Sequence, residues 1–374
     1  MAGEKNVTPK ALLVAVVTAL VVGMLGSLAV RSPGVMRDRQ QSDIAEESID
    51  PIRWRVTSSF TSTMPVIGKT PAKLADALRE VSFGAIDLQL YEPGEIVPAL
   101  EITESIKEQK VDAGFMWIGY DQGRIPASTL IAAVPFGMEP MEFTAWWYYG
   151  EGRELSEALY EEHDVMPILC TITGPETAGW FLKPVESLDD IVGLKIRFAG
   201  IGGKILQRLG ASVTMIPGGE IFQALEKGAI DATEFSLPVV DEQLGFGRVA
   251  KYNYFPGWHQ PFNTGHMLVN LQAWNALNAQ TRALIRLSCK AIVMDSMAEA
   301  ESLQGAVIRD FAEQGVTAET LPVEILQELR RVSIEVLDEE ASKDADFAAI
   351  LDSQRQFSEV YKYWKQKAYL PRDF

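Results

Sequence analysis

Three histidines, His163, His259 and His266, are the chain's whole supply of imidazole, and no two share the HExxH spacing that sets a pair around zinc on one helical face. No Gly-x-Ser-x-Gly elbow occurs, and His259 makes no recognisable triad spacing with Asp241 or Ser236. His259 therefore reads as a hydrogen-bonded structural group in the loop YNYFPGWHQP, with catalysis as the alternative. RFAGIGGKILQRLG follows a strand pattern and opens a helix pattern, but Ile205 stands where a dinucleotide fingerprint needs a third glycine. The Gly-Lys-Ser/Thr of a phosphate loop is absent as well. Arg197 is different. It lies between Ile196 and Phe198 in a run that reads as a buried strand, where a guanidinium is stable only against an anion, either a ligand or a structural carboxylate. These residues fit a binding protein better than an enzyme.

The composition narrows what is bound. Among 374 residues, 34 Lys and Arg face 51 Asp and Glu, a formal charge of −17 that repels phosphate backbones and anionic lipid and argues against nucleic acid as a partner. With 47% hydrophobic and 23% charged residues the chain is ordinary for a folded protein, neither disordered nor polytopic in a membrane. Cys170 and Cys289 cannot form a CxxC pair, a zinc quartet or a disulfide framework, but allow one long-range bridge.

Lys5 and Lys10 precede the uncharged run 11–30, and a basic start before an apolar stretch reads as an export signal. Residues 1–31 are thus a signal peptide, with Ser27-Leu28-Ala29 as a small-x-small cleavage site, or an uncleaved anchor, since 20 apolar residues also suffice to span a bilayer. Residues 32–51, rich in Ser, Gln, Asp and Glu, read as a solvated tether, and the folded domain starts near Ile52.

The elements that must position Arg197 alternate in α/β order. WRVTSSF and AIDLQLY read as strands around a helix 71–81; GFMWIG and TLIAAVPFG read as buried strands after a helix 97–109. PILCTITG reads as a strand, SLDD as a helix start with Ser187 as N-cap, then KIRFAG as strand, KILQRLG as helix and SVTMIP as strand. The motif GEIxxALE occurs twice, at Gly94–Glu101 and Gly219–Glu226. Each copy reads as a helix start, followed by Val111-Asp112-Ala113-Gly114 or Ile230-Asp231-Ala232-Thr233, which predicts two related αβ units and hence two similar lobes. In the tail, Ile325, Leu329, Val332 and Val336 keep helical spacing. A second helix carries Phe357, Tyr361, Trp364 and Ala368 on one face, a stripe that an earlier element or a partner must cover. A small ligand would sit in the cleft between the lobes, gripped from both sides.

The segment GWFLKPVESLDDIVGLKIRFAGIGGKILQRLGASVTMIPGGEIFQALEKGAIDATEF resembles the core of the DctP-type extracytoplasmic solute receptors of tripartite ATP-independent periplasmic (TRAP) transporters. The likeness runs on through YEPGEIVPALEITESI, AAVPFGM, AWWYYG, YNYFPGWHQP and the terminal AYL, and within the family it is most similar to the receptors for 2-oxo acids such as pyruvate. It implies a two-lobed α/β solute-binding fold with a ligand cleft between the lobes and long C-terminal helices. Lobe I would comprise 52–168 and return over 261–300; lobe II would comprise 169–260 and, with the C-terminal helices, 301–374.

On this resemblance, Arg197 pairs with the substrate carboxylate, for which a planar guanidinium offers a bidentate grip. Glu234, with the carbonyl of Phe235, holds a metal ion, Na or Ca, beside the substrate; a salt bridge from Glu234 to Arg197 is the alternative. Glu176 stands where these receptors carry a metal-touching glutamine, and Phe235 where they carry tryptophan. A second carboxylate favours calcium over sodium, or else greets a substrate hydroxyl or amino group. Tyr120 and Trp180 are wall residues of the pocket or packing residues. The implied function is a periplasmic receptor that captures a small 2-oxo or 2-hydroxy monocarboxylate with a metal ion and delivers it to a membrane permease. The runner-up is a receptor for a dicarboxylate or another anionic metabolite without metal; more distant is an exported hydrolase or isomerase using Glu176 and Glu234 as acid and base. Receptors of the 2-oxo acid kind exchange a terminal helix between subunits, which implies a homodimer, while most relatives fold that helix back on themselves.

Overall fold

The structure, a computed structural model, describes residues 49–368 and Leu370; the run expected to direct export and nearly all of the expected tether lie outside them. Within this range the chain builds two sheets. The first contains β1 (Ile52–Ser58), β2 (Ile86–Tyr91), β3 (Ala113–Met116), β4 (Val165–Thr173) and β10 (Asn263–Asn270), in the order β2-β1-β3-β10-β4. The second contains β5 (Gly179–Phe181), β6 (Lys195–Arg197), β7 (Ser212–Thr214), β8 (Ala232–Thr233), β9 (Tyr252–Phe255) and β11 (Thr317–Thr320), in the order β11-β9-β5-β8-β6-β7. β1 runs parallel to β2 and β3, while β10 is antiparallel to both β3 and β4. In the second sheet β6 runs parallel to β7 and β8, and β5 is antiparallel to β8 and β9.

The alternation of β1 is visible in its burial: Ile52, Trp54 and Val56 face the core and Arg53 and Arg55 face water. All nine residues of β4 are buried, because the 32-residue helix Ala279–Asp310 packs across it. Cys170 on β4 and Cys289 on that helix form a disulfide, with Cα atoms 4.3 Å apart and a sequence separation of 119. Closing so long a loop restricts the unfolded chain. Replacing both cysteines by serine should therefore cost about 4 kcal/mol and lower the melting temperature, whereas an unchanged melt would mean that packing alone holds the helix on β4. Asp50, assigned to the tether from sequence, is also fastened here: its N–H donates to Thr281 Oγ1 at 2.8 Å and its carboxylate accepts from the Asn278 N–H at 2.7 Å. The folded chain thus begins before Ile52.

Two sequence expectations are corrected. TLIAAVPFG is not a strand; Ser128–Ala132 is a short helix and the rest a loop, since a short apolar run does not distinguish the two. The first GEIxxALE copy opens no helix, which starts only at Ile102. Pro98 drives Val97 away from helical backbone, whereas the second copy carries Gln223 in the proline's place and forms the helix Gly218–Glu226. The strands after the copies, β3 and β8, lie one in each sheet. Ser187 is the expected N-cap and forms a capping box with Asp190, on a single 3-10 turn and not a full helix. The tail helices are Val323–Lys343, with Ile325, Leu329, Val332 and Val336 buried, and Ala345–Ala368. The second buries Phe347, Ile350 and Leu351 in its own chain, but beyond them Phe357 and Tyr361 are half-buried and Trp364 is 62% exposed.

Candidate functional site

The chain passes between the sheets twice before β11, from β4 to β5 and from β9 to β10, and each passage carries site residues. Glu176 lies on the first; His259 and Gln260 lie on the second, and Asn263 opens β10. Arg197 ends β6 and Glu234 follows β8, so both sit at the carboxyl ends of neighbouring parallel strands, where α/β sheets present their ligand groups.

Arg197 and Glu234 are each 1% exposed and face one another. Arg197 Nη1 donates to Glu234 Oε2 at 3.0 Å and to the Glu234 carbonyl at 2.7 Å, while Nε donates to the Ile216 carbonyl at 3.2 Å. The Ala199 N–H donates to Glu234 Oε1 at 2.6 Å. Phe235 lies with its ring centroid 5.3 Å from the guanidinium carbon, a cation–π contact. Glu176 Oε1 accepts from Asn263 Nδ2 at 2.6 Å. The Gln260 amide, turned so that its nitrogen faces the carboxylate, donates to the two Glu176 oxygens at 3.2 and 2.9 Å. Burial, then the nearby Glu234 charge, pushes the Glu176 carboxyl well above its ordinary value. Burial also raises Glu234, against the pull of Arg197.

The structure changes the reading of His259. It is not a hydrogen-bonded loop group: the side chain is 1% exposed, and among the described residues neither nitrogen has a hydrogen-bond partner. Nε2 stands 3.8 Å from Glu176 Oε2, and one ligand atom each from Glu176, Glu234 and His259 lies within 4.8 Å of the others. Two buried carboxylates and an orphaned imidazole around one point are a donor set that fits a cation, which would turn their mutual repulsion into attraction. No spacing motif pointed to this, because the two passages meet only in the fold.

Tyr120 comes from the first lobe, on the turn after β3, half-buried with its ring 5.1 Å from Trp117. Burial pushes its hydroxyl up to about 12, with the Arg197 charge pulling the other way. A cavity of about 520 Å³ is lined by Leu100 and Tyr120 from the first lobe and Phe198, Ala199 and Gly200 from the second. The lobes meet closely beside it: Phe60 and Phe235 have ring centroids 6.4 Å apart, and a Cβ on Gly200, whose φ is +67°, would come within 2.8 Å of the Trp117 ring. Glycine at 200 is thus required both by its left-handed backbone and by lobe closure.

Trp180 sits in the apolar interior of the second lobe. Its indole N–H donates to Asp241 Oδ2 at 2.8 Å and its ring packs edge-on against Phe246 and Phe311. Asp241, wholly buried, has its carboxyl pushed up to about 8, chiefly by burial. Because the folded value lies above the unfolded one, the neutral acid's advantage is complete below pH about 4 and is lost as pH rises through about 8. The metal-free protein should therefore lose up to about 1.4 kcal/mol per pH unit in that window from this group, and Asp241→Asn should flatten the slope in urea melts at pH 5 to 7.5. An unaltered slope would contradict it.

Comparison with known proteins agrees with this architecture. Residues 57–344 match the model of the DctP family, bacterial extracellular solute-binding protein family 7. A monocarboxylate 2-oxoacid-binding periplasmic protein of Nostoc sp. is 32% identical over 317 residues, covering 84% of this chain and 86% of the relative. A TRAP transporter solute-binding protein of Bordetella bronchiseptica, a mixed-occupancy dimer with calcium and picolinate in one site, superposes with a TM-score of 0.83 at 29% identity, covering 85% of this chain and 95% of the other. A TRAP periplasmic solute-binding protein of Pseudoalteromonas atlantica, with bound sodium and pyruvate, gives 0.82 at 29% identity, covering 85% and 97%. With the family model spanning most of its length and the two-sheet fold in place, the chain belongs to the DctP family of bacterial extracellular solute-binding proteins.

Proposed function

We propose that this chain is the periplasmic receptor of a TRAP transporter, which captures a small 2-oxo or 2-hydroxy monocarboxylate together with a metal ion and delivers it to a membrane permease. The observation that carries this reading is the buried cluster of Arg197, Glu234, Glu176 and His259 where the passages between the lobes converge. Arg197 takes the acid's carboxylate, and Tyr120 borders the cavity through which it enters. Glu234, Glu176 and the Phe235 carbonyl hold the cation, which supplies positive charge to the acid's remaining oxygens. One arginine, two carboxylates, a doubly charged ion and a monocarboxylate sum to zero, so the charge balance supports calcium over sodium. On this reading the ligand is bound and released unchanged. The test is ligand fate: acid released from the loaded protein by denaturation should be chemically unchanged by mass spectrometry, and recovery of a converted product would establish an enzyme instead.

We also propose that the chain forms a homodimer through its last helix. Val360, Tyr363 and Trp364 are 74%, 70% and 62% exposed beyond the half of the helix that its own chain covers, and the Bordetella relative is described as a dimer. Light scattering at micromolar concentration distinguishes a dimer from a monomer.

A further inference from the structure

We infer that Asp121 is a positioning residue of the ligand site: without touching the acid, it holds the turn that presents Tyr120 to the cavity, and so sets how tightly the acid is enclosed. This rests on the receptor reading proposed above and adds a residue to it. Tyr120 and Asp121 are consecutive in the 3-10 turn Ile118–Gly123, where neighbouring side chains point about 120° apart, so the two face different ways. Tyr120 lines the cavity, within reach of the Arg197 charge, whereas Asp121 is 3% exposed and turns into the core of the first lobe.

There the Asp121 carboxylate collects hydrogen bonds from two other elements. Its Oδ2 accepts from Thr103 Oγ1, on the helix Ile102–Lys107, at 2.7 Å and from the Tyr160 hydroxyl, on the helix Gly152–Glu161, at 2.9 Å. Its backbone carbonyl closes the turn, accepting from the N–H groups of Arg124 and Ile125, both at 2.8 Å. Burial pushes the carboxyl above its ordinary value, against the pull of the two hydroxyls and the weaker pull of Arg124 and His163. A desolvated carboxylate on neutral donors is a costly way to fill a core, and what it gains here is direction, because hydrogen bonds to a charged acceptor are shorter and stronger than neutral ones. The turn needs that tie. Gly119 and Gly123 are two of its six residues and add backbone freedom, so Ile118 before Tyr120 and Asp121 after it are the buried side chains that anchor it. The lobes also meet here: Trp117 packs edge-on against the Tyr120 ring, with centroids 5.1 Å apart, and lies against Gly200 across the cleft. A site wall must be held to within about 0.5 Å by supporting bonds of this kind, and Asp121 supplies those of Tyr120.

The experiment is calorimetric titration of pyruvate into the full chain in calcium-containing buffer. Asp121→Ala should weaken binding roughly tenfold or more, and Asp121→Asn, whose amide oxygen accepts the same two bonds, should stay within about threefold of wild type. Because Asp121 acts through Tyr120, adding Asp121→Ala to Tyr120→Ala should weaken binding by no more than about twofold beyond Tyr120→Ala alone. A residue that only stabilises the lobe would lower the melting temperature of Asp121→Ala and leave the affinity of the folded chain within about threefold of wild type. That result overturns the inference, as does a loss that asparagine does not restore or one that multiplies with Tyr120→Ala. Should the alanine variant fail to fold, Thr103→Val and Tyr160→Phe each remove one donor from outside the turn. Each should weaken binding about threefold alone and have no effect beside Tyr120→Ala, and wild-type affinity in both overturns the inference. A wild-type chain that binds neither pyruvate nor lactate defeats the receptor reading and this inference together, whereas binding that survives Asp121→Ala defeats only the latter.

Discussion

Arg197→Ala should weaken binding of a 2-oxo acid such as pyruvate more than a hundredfold, with the fold preserved. The guanidinium is buried, and its Nε and Nη1 hydrogen bonds to the Ile216 and Glu234 carbonyls hold it at the end of β6. Removing it deprives a carboxylate inside a closed cleft of its counter-charge and at the same time strips Glu234 of its cationic partner. Losing one side of a desolvated charge pair costs on the order of 3 kcal/mol or more. Arg197→Lys should recover only part of that, because a point charge cannot reproduce the planar fork. Calorimetry is the check, and an alanine variant within threefold of wild type would remove Arg197 from the ligand's surroundings.

The second large effect separates the two glutamates. Glu234→Gln should cost roughly a hundredfold in ligand affinity and Glu176→Gln roughly tenfold, both measured in calcium-containing buffer. The asymmetry comes from their hydrogen bonds. Glu234 accepts from Arg197 on one oxygen and from the Ala199 N–H on the other, so an amide nitrogen at either position turns a donor against a donor and disturbs Arg197 as well as the ion. Glu176 accepts from Asn263 on Oε1, and a glutamine can keep that bond through its own oxygen. It is also the residue type that related receptors were expected to carry there. The reverse order would mean that Glu176, not Glu234, is the principal ligand of the cation.

Arg197 was legible from sequence because a charged side chain between Ile196 and Phe198 contradicts its own neighbourhood, and only an anion resolves the contradiction. The two-lobed α/β order was also legible, since KIRFAG, KILQRLG and SVTMIP carry strong local patterns that became β6, the helix Gly200–Arg208 and β7. The roles proposed for Glu176 and Glu234 rest on the family resemblance, as nothing in TGPETAGW or DATEF marks a ligand by itself. His259 was misread for a physical reason: whether a histidine is hydrogen-bonded depends on what folds against it. Glu176, 83 residues away in sequence, meets it only where the two passages between the sheets converge. Local pattern also failed at Val97–Glu101, where one proline outweighed a motif that is helical at its second occurrence.

On the proposed reading an organic acid and a cation are bound together. Its most direct test is calorimetric titration of pyruvate into the chain in excess calcium and again after exhaustive chelation. Affinity should fall at least tenfold without metal and return when a divalent ion is restored. Pyruvate bound equally tightly by the metal-free chain would contradict it and leave Arg197 as the whole of the recognition.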